Sequence, residues 1–113
     1  MNPESEWVPL GVFEEQILVA VLRTRDEAYG MSVRREIEGV TGRELTIGAV
    51  YATLDRLEAK GLLMSRRVLA DGPSRRVFRM SMSGARALAE TRAMRERLWQ
   101  GVDVRGLLKL AGS

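Results

Sequence analysis

Thr46-Ile-Gly-Ala-Val-Tyr-Ala-Thr-Leu-Asp-Arg-Leu-Glu-Ala-Lys-Gly61 is the stretch that decides the fold. Ile47, Val50, Leu54 and Leu57 recur at spacings of 3, 4 and 3, which puts them on one face of an α-helix. Thr46 suits the N-cap, because its hydroxyl can accept a hydrogen bond from a first-turn amide, and Gly61 suits the left-handed residue that ends the helix. With the apolar stripe turned inward, the outward centre falls on Ala52. Gly48, Ala49, Arg56 and Ala59 lie around it, with Tyr51, Thr53 and Lys60 on the flanks. A solvated helix face usually carries long charged side chains. This one is mostly Gly and Ala with Arg at one end, so it can lie close against another surface. Taken alone, the same residues also serve as ordinary helix filler, since Ala favours helix anywhere.

Upstream, Met31 to Val40 reads as a helix burying Val33, Ile37 and Val40, with Arg34, Arg35, Glu36 and Glu38 outward. Thr41-Gly-Arg-Glu44 closes it, with Gly42 as the stop, and the short connection to Thr46 gives a helix-turn-helix. Asp26 to Gly30 is a turn. Before it, Gly11 to Arg25 forms a first helix with a wide apolar face of Phe13, Ile17, Leu18, Val21 and Leu22, extended by Val12, Val19 and Ala20. So broad a face suggests contact on two sides, one with another subunit, for which Phe13 and Ile17 are the candidates. Residues 1–9, with Pro3, Pro9 and acidic Glu4 and Glu6, read as a loosely ordered arm in which Trp7 can pin against the body or a partner.

Downstream the period changes. Leu62 to Leu69 and Arg75 to Met80 read as two strands, joined through a turn at Asp71-Gly72. Ser81 or Ser83 then caps a last long helix running to about Gly101. Along it Ala87, Thr91, Met94, Leu98 and Val102 form a narrow stripe, more like a helix–helix seam than a core face. Asp103 to Ser113 adds a short helix presenting Leu107, Leu108 and Leu110. The expected organisation is an arm at 1–9, a winged helix at 10–80, and a dimerisation helix with tail at 81–113.

The composition narrows the function. A chain of 113 residues, 45% hydrophobic and 29% charged, is expected to form one folded domain. It has no Cys and no His, so disulfides, thiolates, imidazole bases and the usual zinc ligands are all excluded. The carboxylates form no convergent pair, and there is no Gly-rich phosphate loop. No catalytic residue, metal or cofactor is assigned, and no enzyme is expected. No apolar run approaches the ~20 residues of a membrane span, and the acidic N-terminus does not resemble a signal peptide, so the expected location is the cytoplasm. The net charge is only +3, but residues 66–79 hold Arg66, Arg67, Arg75, Arg76 and Arg79 against Asp71 alone. The planar fork of Arg suits phosphate oxygens.

Three helices followed by an Arg-studded hairpin are the parts of a winged helix-turn-helix, a mainly α (α+β) fold. Its third helix fits the major groove of double-stranded DNA, and its hairpin, or wing, can follow the phosphate backbone. On this reading Thr46, Gly48, Ala49, Ala52, Thr53 and Arg56 face the DNA from the helix, the last five addressing bases. Tyr51, Arg34, Arg35, Arg75 and Arg76 hold phosphates. Each Arg taken singly is also a candidate solvated surface charge.

These residues resemble the PadR family of bacterial transcriptional regulators, particularly its short-tailed members. The resemblance spans about residues 10–90 and rests on four blocks. They are Leu10-Gly-Val-Phe-Glu-Glu-Gln-Ile-Leu18, Ala28-Tyr-Gly30, the stretch from Thr46 to Leu62, and Arg75-Arg-Val-Phe-Arg-Met-Ser-Met-Ser-Gly84. The chain departs from many relatives at Ala52, where they carry proline, and at Val77, where they carry a second wing aromatic. The resemblance implies a homodimer joined through the last and first helices, bound to a roughly two-fold symmetric operator, usually as a repressor. It also implies, for some members, a planar aromatic or phenolic effector near aromatics of the last helix. Trp99 and Trp7 are the candidates here, and packing at a dimer interface is the alternative role for Trp99. The competing function is a winged helix used as a protein–protein adaptor without DNA binding; five Arg on one hairpin argue against it.

Overall fold

Apolar residues from three helices and a hairpin converge on one core. In the computed structural model, which describes residues 10–69 and 72–112, the elements are α1 (Val12–Thr24), α2 (Gly30–Thr41), α3 (Ile47–Ala59), β1 (Leu63–Val68), β2 (Arg75–Met80), α4 (Met82–Trp99) and α5 (Val104–Gly112). A single 3-10 turn at Arg25–Glu27 joins α1 to α2. Ile17, Leu18 and Val21 of α1 meet Val33 and Ile37 of α2, Val50, Leu54 and Leu57 of α3, and Leu63 and Phe78 of the hairpin. Each such side chain contributes about 1.5–3 kcal/mol on burial.

The termini of the helices follow their sequence signals. The Thr46 hydroxyl accepts from the Ala49 amide at 3.1 Å, and the Ser81 hydroxyl accepts from the Gly84 amide at 3.0 Å. Gly42 and Gly61 adopt φ of 74° and 78°, the left-handed conformation that stops α2 and α3. β1 and β2 pair antiparallel, Leu63 opposite Met80, Ser65 opposite Phe78 and Arg67 opposite Arg76. The Phe78 amide donates to the Ala28 carbonyl at 2.7 Å, tying the wing to the segment before α2. At Gly84 a Cβ would strike the Leu62 carbonyl, so glycine lets α4 start hard against the α3–β1 connection.

Several expectations about burial are corrected. Val40 is 63% exposed, because α2 is in its last turn there and has passed the edge of the core. Ile17 is wholly buried in the chain's own core, and Phe13 packs partly against that core, so Ile17 is not available to a second subunit. The α4 stripe divides. Thr91 is buried and Ala87 and Met94 are half-buried within the same chain, whereas Leu98 and Val102 are 72% and 53% exposed. α4 ends at Trp99, earlier than Gly101. The residue 1–9 arm and Trp7 lie outside the described residues.

The far end of α4 and all of α5 project from the body. The radius of gyration is 17.0 Å, against about 13 Å for a compact chain of this length. Leu107, Leu108 and Leu110 are exposed along α5. Among the described residues no helix is long and apolar enough to cross a membrane.

Candidate nucleic-acid interface

On α3 the inward and outward faces fall largely where the spacing of its apolar residues places them. Thr46, Gly48, Ala49, Ala52, Arg56 and Ala59 are exposed. A Cβ at Gly48 would meet nothing within 4 Å, and its φ is not positive, so the fold itself has no need of glycine there. Glycine inside a helix costs about 0.5–1 kcal/mol relative to alanine. Thr53 is the exception. It lies three residues after Val50 and four before Leu57, on the border of the apolar stripe, and is only 4% exposed. It faces the body and cannot address bases from this conformation.

The turn between α2 and α3 is braced by one carboxylate. Glu38 Oε2 accepts from the Leu45 amide at 2.8 Å and from Arg34 Nε at 3.3 Å. The Leu45 amide, and then Arg34, hold the Glu38 carboxyl below the usual glutamate value. Arg34 is thus half-buried in an ion pair on its own helix, while Arg35 is exposed and donates to the Tyr29 hydroxyl at 3.1 Å.

At the N-terminal end of α2, phenols and arginines meet. The Tyr51 ring lies over Gly30, where any Cβ would overlap it, and so stays half-buried. The Arg75 guanidinium sits 4.3 Å from the centroid of the Tyr29 ring. Tyr29, Met31, Tyr51, Arg67, Ser74, Arg75 and Arg76 line an open depression of about 420 Å³. Its hydroxyl and guanidinium donors match the oxygens of a phosphodiester. Tyr29 lies within a sequence motif and Arg67 within the arginine cluster, but neither is among the DNA contacts expected from the sequence. The signal for Tyr29 was its place beside Gly30, at the N-cap of α2.

The five wing arginines do not act alike. Among the described residues Arg66, Arg67, Arg75 and Arg79 have no ion-pair partner. Arg76 has two. Its Nη1 donates to Asp55 Oδ1 at 2.6 Å, its Nη2 pairs with Glu58, and its Nε donates to Ser65 Oγ at 3.2 Å. Ser65 in turn donates to Glu58 Oε2 at 2.6 Å, and the guanidinium stacks on the Phe78 ring at 4.7 Å. The hydrogen bond from Ser65, and then Arg76, hold the Glu58 carboxyl below its usual value despite partial burial. Burial works against the charge on Arg76, but its bonds to Asp55 and Glu58 outweigh that and raise its pKa. The outward guanidinium expected for a phosphate contact is therefore turned back onto its own chain. The signal was present in the sequence: Asp55 and Glu58 are spaced i, i+3 on α3, and Arg76 and Phe78 share one face of β2.

Trp99 is 55% exposed near the end of α4, where it lines a shallow hollow with Ala93, Glu96, Arg97 and Gln100.

A helix-turn-helix followed by an arginine-bearing hairpin defines the winged-helix class. Within it, the chain belongs to the PadR-like family of transcriptional regulators, whose pattern matches residues 17–90. The chain is 40% identical over 73 residues to Transcriptional regulator Rv3488 of Mycobacterium tuberculosis, covering 65% of this chain and 67% of that one. A PadR-like transcriptional regulator from Bacillus cereus shares the fold with a TM-score of 0.66 at 22% identity, over 91% of this chain and 95% of that one. Bacillus subtilis PadR, solved in complex with operator DNA, has a TM-score of 0.61 at 17% identity, over 71% of this chain and 46% of that one. These relatives are transcriptional regulators, the class the sequence motifs imply.

Proposed function

We propose that this regulator binds a specific double-stranded operator as a homodimer and acts as a repressor. The observation that carries the reading is the outer face of α3. It is exposed, built of Gly48, Ala49 and Ala52, and includes a helical glycine that nothing in the fold requires. Such a face admits close approach to base edges in a major groove. Arg56 extends from its far end toward bases, while Tyr51, Arg35, Arg67 and Arg75 sit beside it for the phosphates. Bacillus subtilis PadR, which shares the fold, was solved in complex with operator DNA, and this supports the DNA-binding reading. The dimer is assigned to the exposed end of the α4 stripe, Leu98 and Val102, and to Val12, Val19 and Leu22 on the outer side of α1. The exposed Trp99 and its hollow are the candidate site for a small aromatic or phenolic effector that would relieve repression, and packing at the dimer interface is the alternative role for this indole.

Fluorescence anisotropy with the protein's own promoter fragment and a scrambled duplex, across about 50–300 mM salt, tests the reading. The expected result is preference for the promoter, with affinity falling steeply as salt rises. Equal, salt-independent binding or none would favour the adaptor role.

A further inference from the structure

The five wing arginines would all serve the phosphate backbone if charge alone governed their use, but Arg76 is built into something else. We infer that Arg76 is a positioning residue, a latch that fixes the angle between the wing and α3, so that Arg67 and Arg75 meet the DNA backbone in register with the bases read by α3. The inference rests on the DNA-binding reading above. Three guanidinium nitrogens of Arg76 are engaged across the gap from β2 to α3 and β1, through Asp55, Glu58 and Ser65, and its flat face rests on buried Phe78. A phosphate ligand needs that fork free. Here the fork is filled by two carboxylates, one of them shared with Ser65 so that helix and both strands close one ring of hydrogen bonds. Arg75, one residue away, lies over the Tyr29 ring with no carboxylate partner among the described residues. Neighbouring arginines are thus divided between two tasks.

The latch makes a prediction that pure electrostatics reverses. Asp55→Asn combined with Glu58→Gln removes two negative charges beside the DNA face, so a charge-only account expects tighter binding. The latch account expects the preference for promoter over scrambled duplex to fall about tenfold, because the charge-assisted bonds that hold the wing are lost. Arg76→Gln should lower the preference similarly and leave the salt slope unchanged, whereas Arg75→Ala should reduce that slope by about one. Hydrogen exchange of the β1 and β2 amides in the DNA-free protein provides an independent readout. Exchange should quicken in Arg76→Gln and in the Asp55→Asn, Glu58→Gln pair, but not in Arg75→Ala. A double variant that keeps its preference, together with a slope reduced by Arg76→Gln, would overturn the latch. So would unchanged exchange in both latch variants. Failure of the unaltered protein to prefer its promoter, with exchange quickened as expected, would overturn the role in DNA reading and leave a purely structural brace.

Discussion

Two regions of this chain present surfaces that its own fold does not use, and they differ in chemistry. The outer face of α3 is small and polar-edged: Gly48, Ala49 and Ala52 with Arg56, beside the Tyr29–Arg75 depression. The outer faces of α1, the end of α4 and α5 are large and apolar: Val12, Leu22, Leu98, Val102, Leu107 and Leu108 are all more than half exposed. Small residues gain nothing from hiding and allow close approach of another backbone. Large apolar ones lose about 25 cal/mol for every Å² left in water, which favours covering them. Under the proposed function these two kinds of surface take different partners, a nucleic acid at one and a second copy of the chain at the other.

The largest effect expected from breaking one side of this comparison alone comes at its centre. Ala52→Glu should abolish promoter binding, because a carboxylate would face the DNA, while circular dichroism and thermal midpoint stay near those of the unaltered protein. Unfolding would show that α3 is rotated from the phase described. On the other side, Leu98→Glu should give monomers by sedimentation velocity with the fold retained, and unchanged sedimentation would remove α4 from the interface. By contrast, Ile17→Glu should unfold the chain, as burying an unpaired carboxylate in the core costs several kcal/mol.

Smaller effects sharpen the account. Gly48→Ala should raise stability to chemical denaturation by about 0.5–1 kcal/mol, since the site is helical and open, while weakening promoter binding. An equal or tighter complex would show that no surface approaches Gly48 closely. The smallest effect concerns acid. Glu38 is held below the usual glutamate value by the Leu45 amide, then Arg34. A depressed carboxylate contributes stability that is complete above the ordinary value of 4.5 and is lost as pH falls through the depressed one. Stability of the unaltered protein should therefore decline below that range, and Glu38→Gln should make the decline shallower.

Much of this was legible in the sequence because it is local. The Thr46 cap, the α4 cap at Ser81 (one of two serines the sequence offers), the stops at Gly42 and Gly61, and the change from helical to extended period after Leu62 each depend on a few neighbouring residues, and the structure places them within a residue or two. What was not legible depends on neighbours distant in sequence. Thr53 lies on the edge of the apolar stripe, and only the packing of the body decides that it is buried. Ala87, Thr91 and Met94 continue one stripe with Leu98 and Val102, yet α4 spends the first three on its own chain and then runs past the body. Arginine count alone could not separate Arg75 from Arg76; strand alternation pairs Arg76 with Phe78 on one face of β2, but only the packing of the hairpin on α3 brings that face to Asp55 and Glu58.

Methylation protection of guanine N7 on the promoter fragment tests the joint claim most directly, because it reports major-groove contact and its spacing together. A dimer seated on two half-sites should give two clusters of protected guanines centred about one helical turn, or 34 Å, apart, related by approximate two-fold symmetry, with Leu98→Glu losing the paired pattern. Absence of protection, or a single cluster indifferent to Leu98→Glu, would contradict the joint claim.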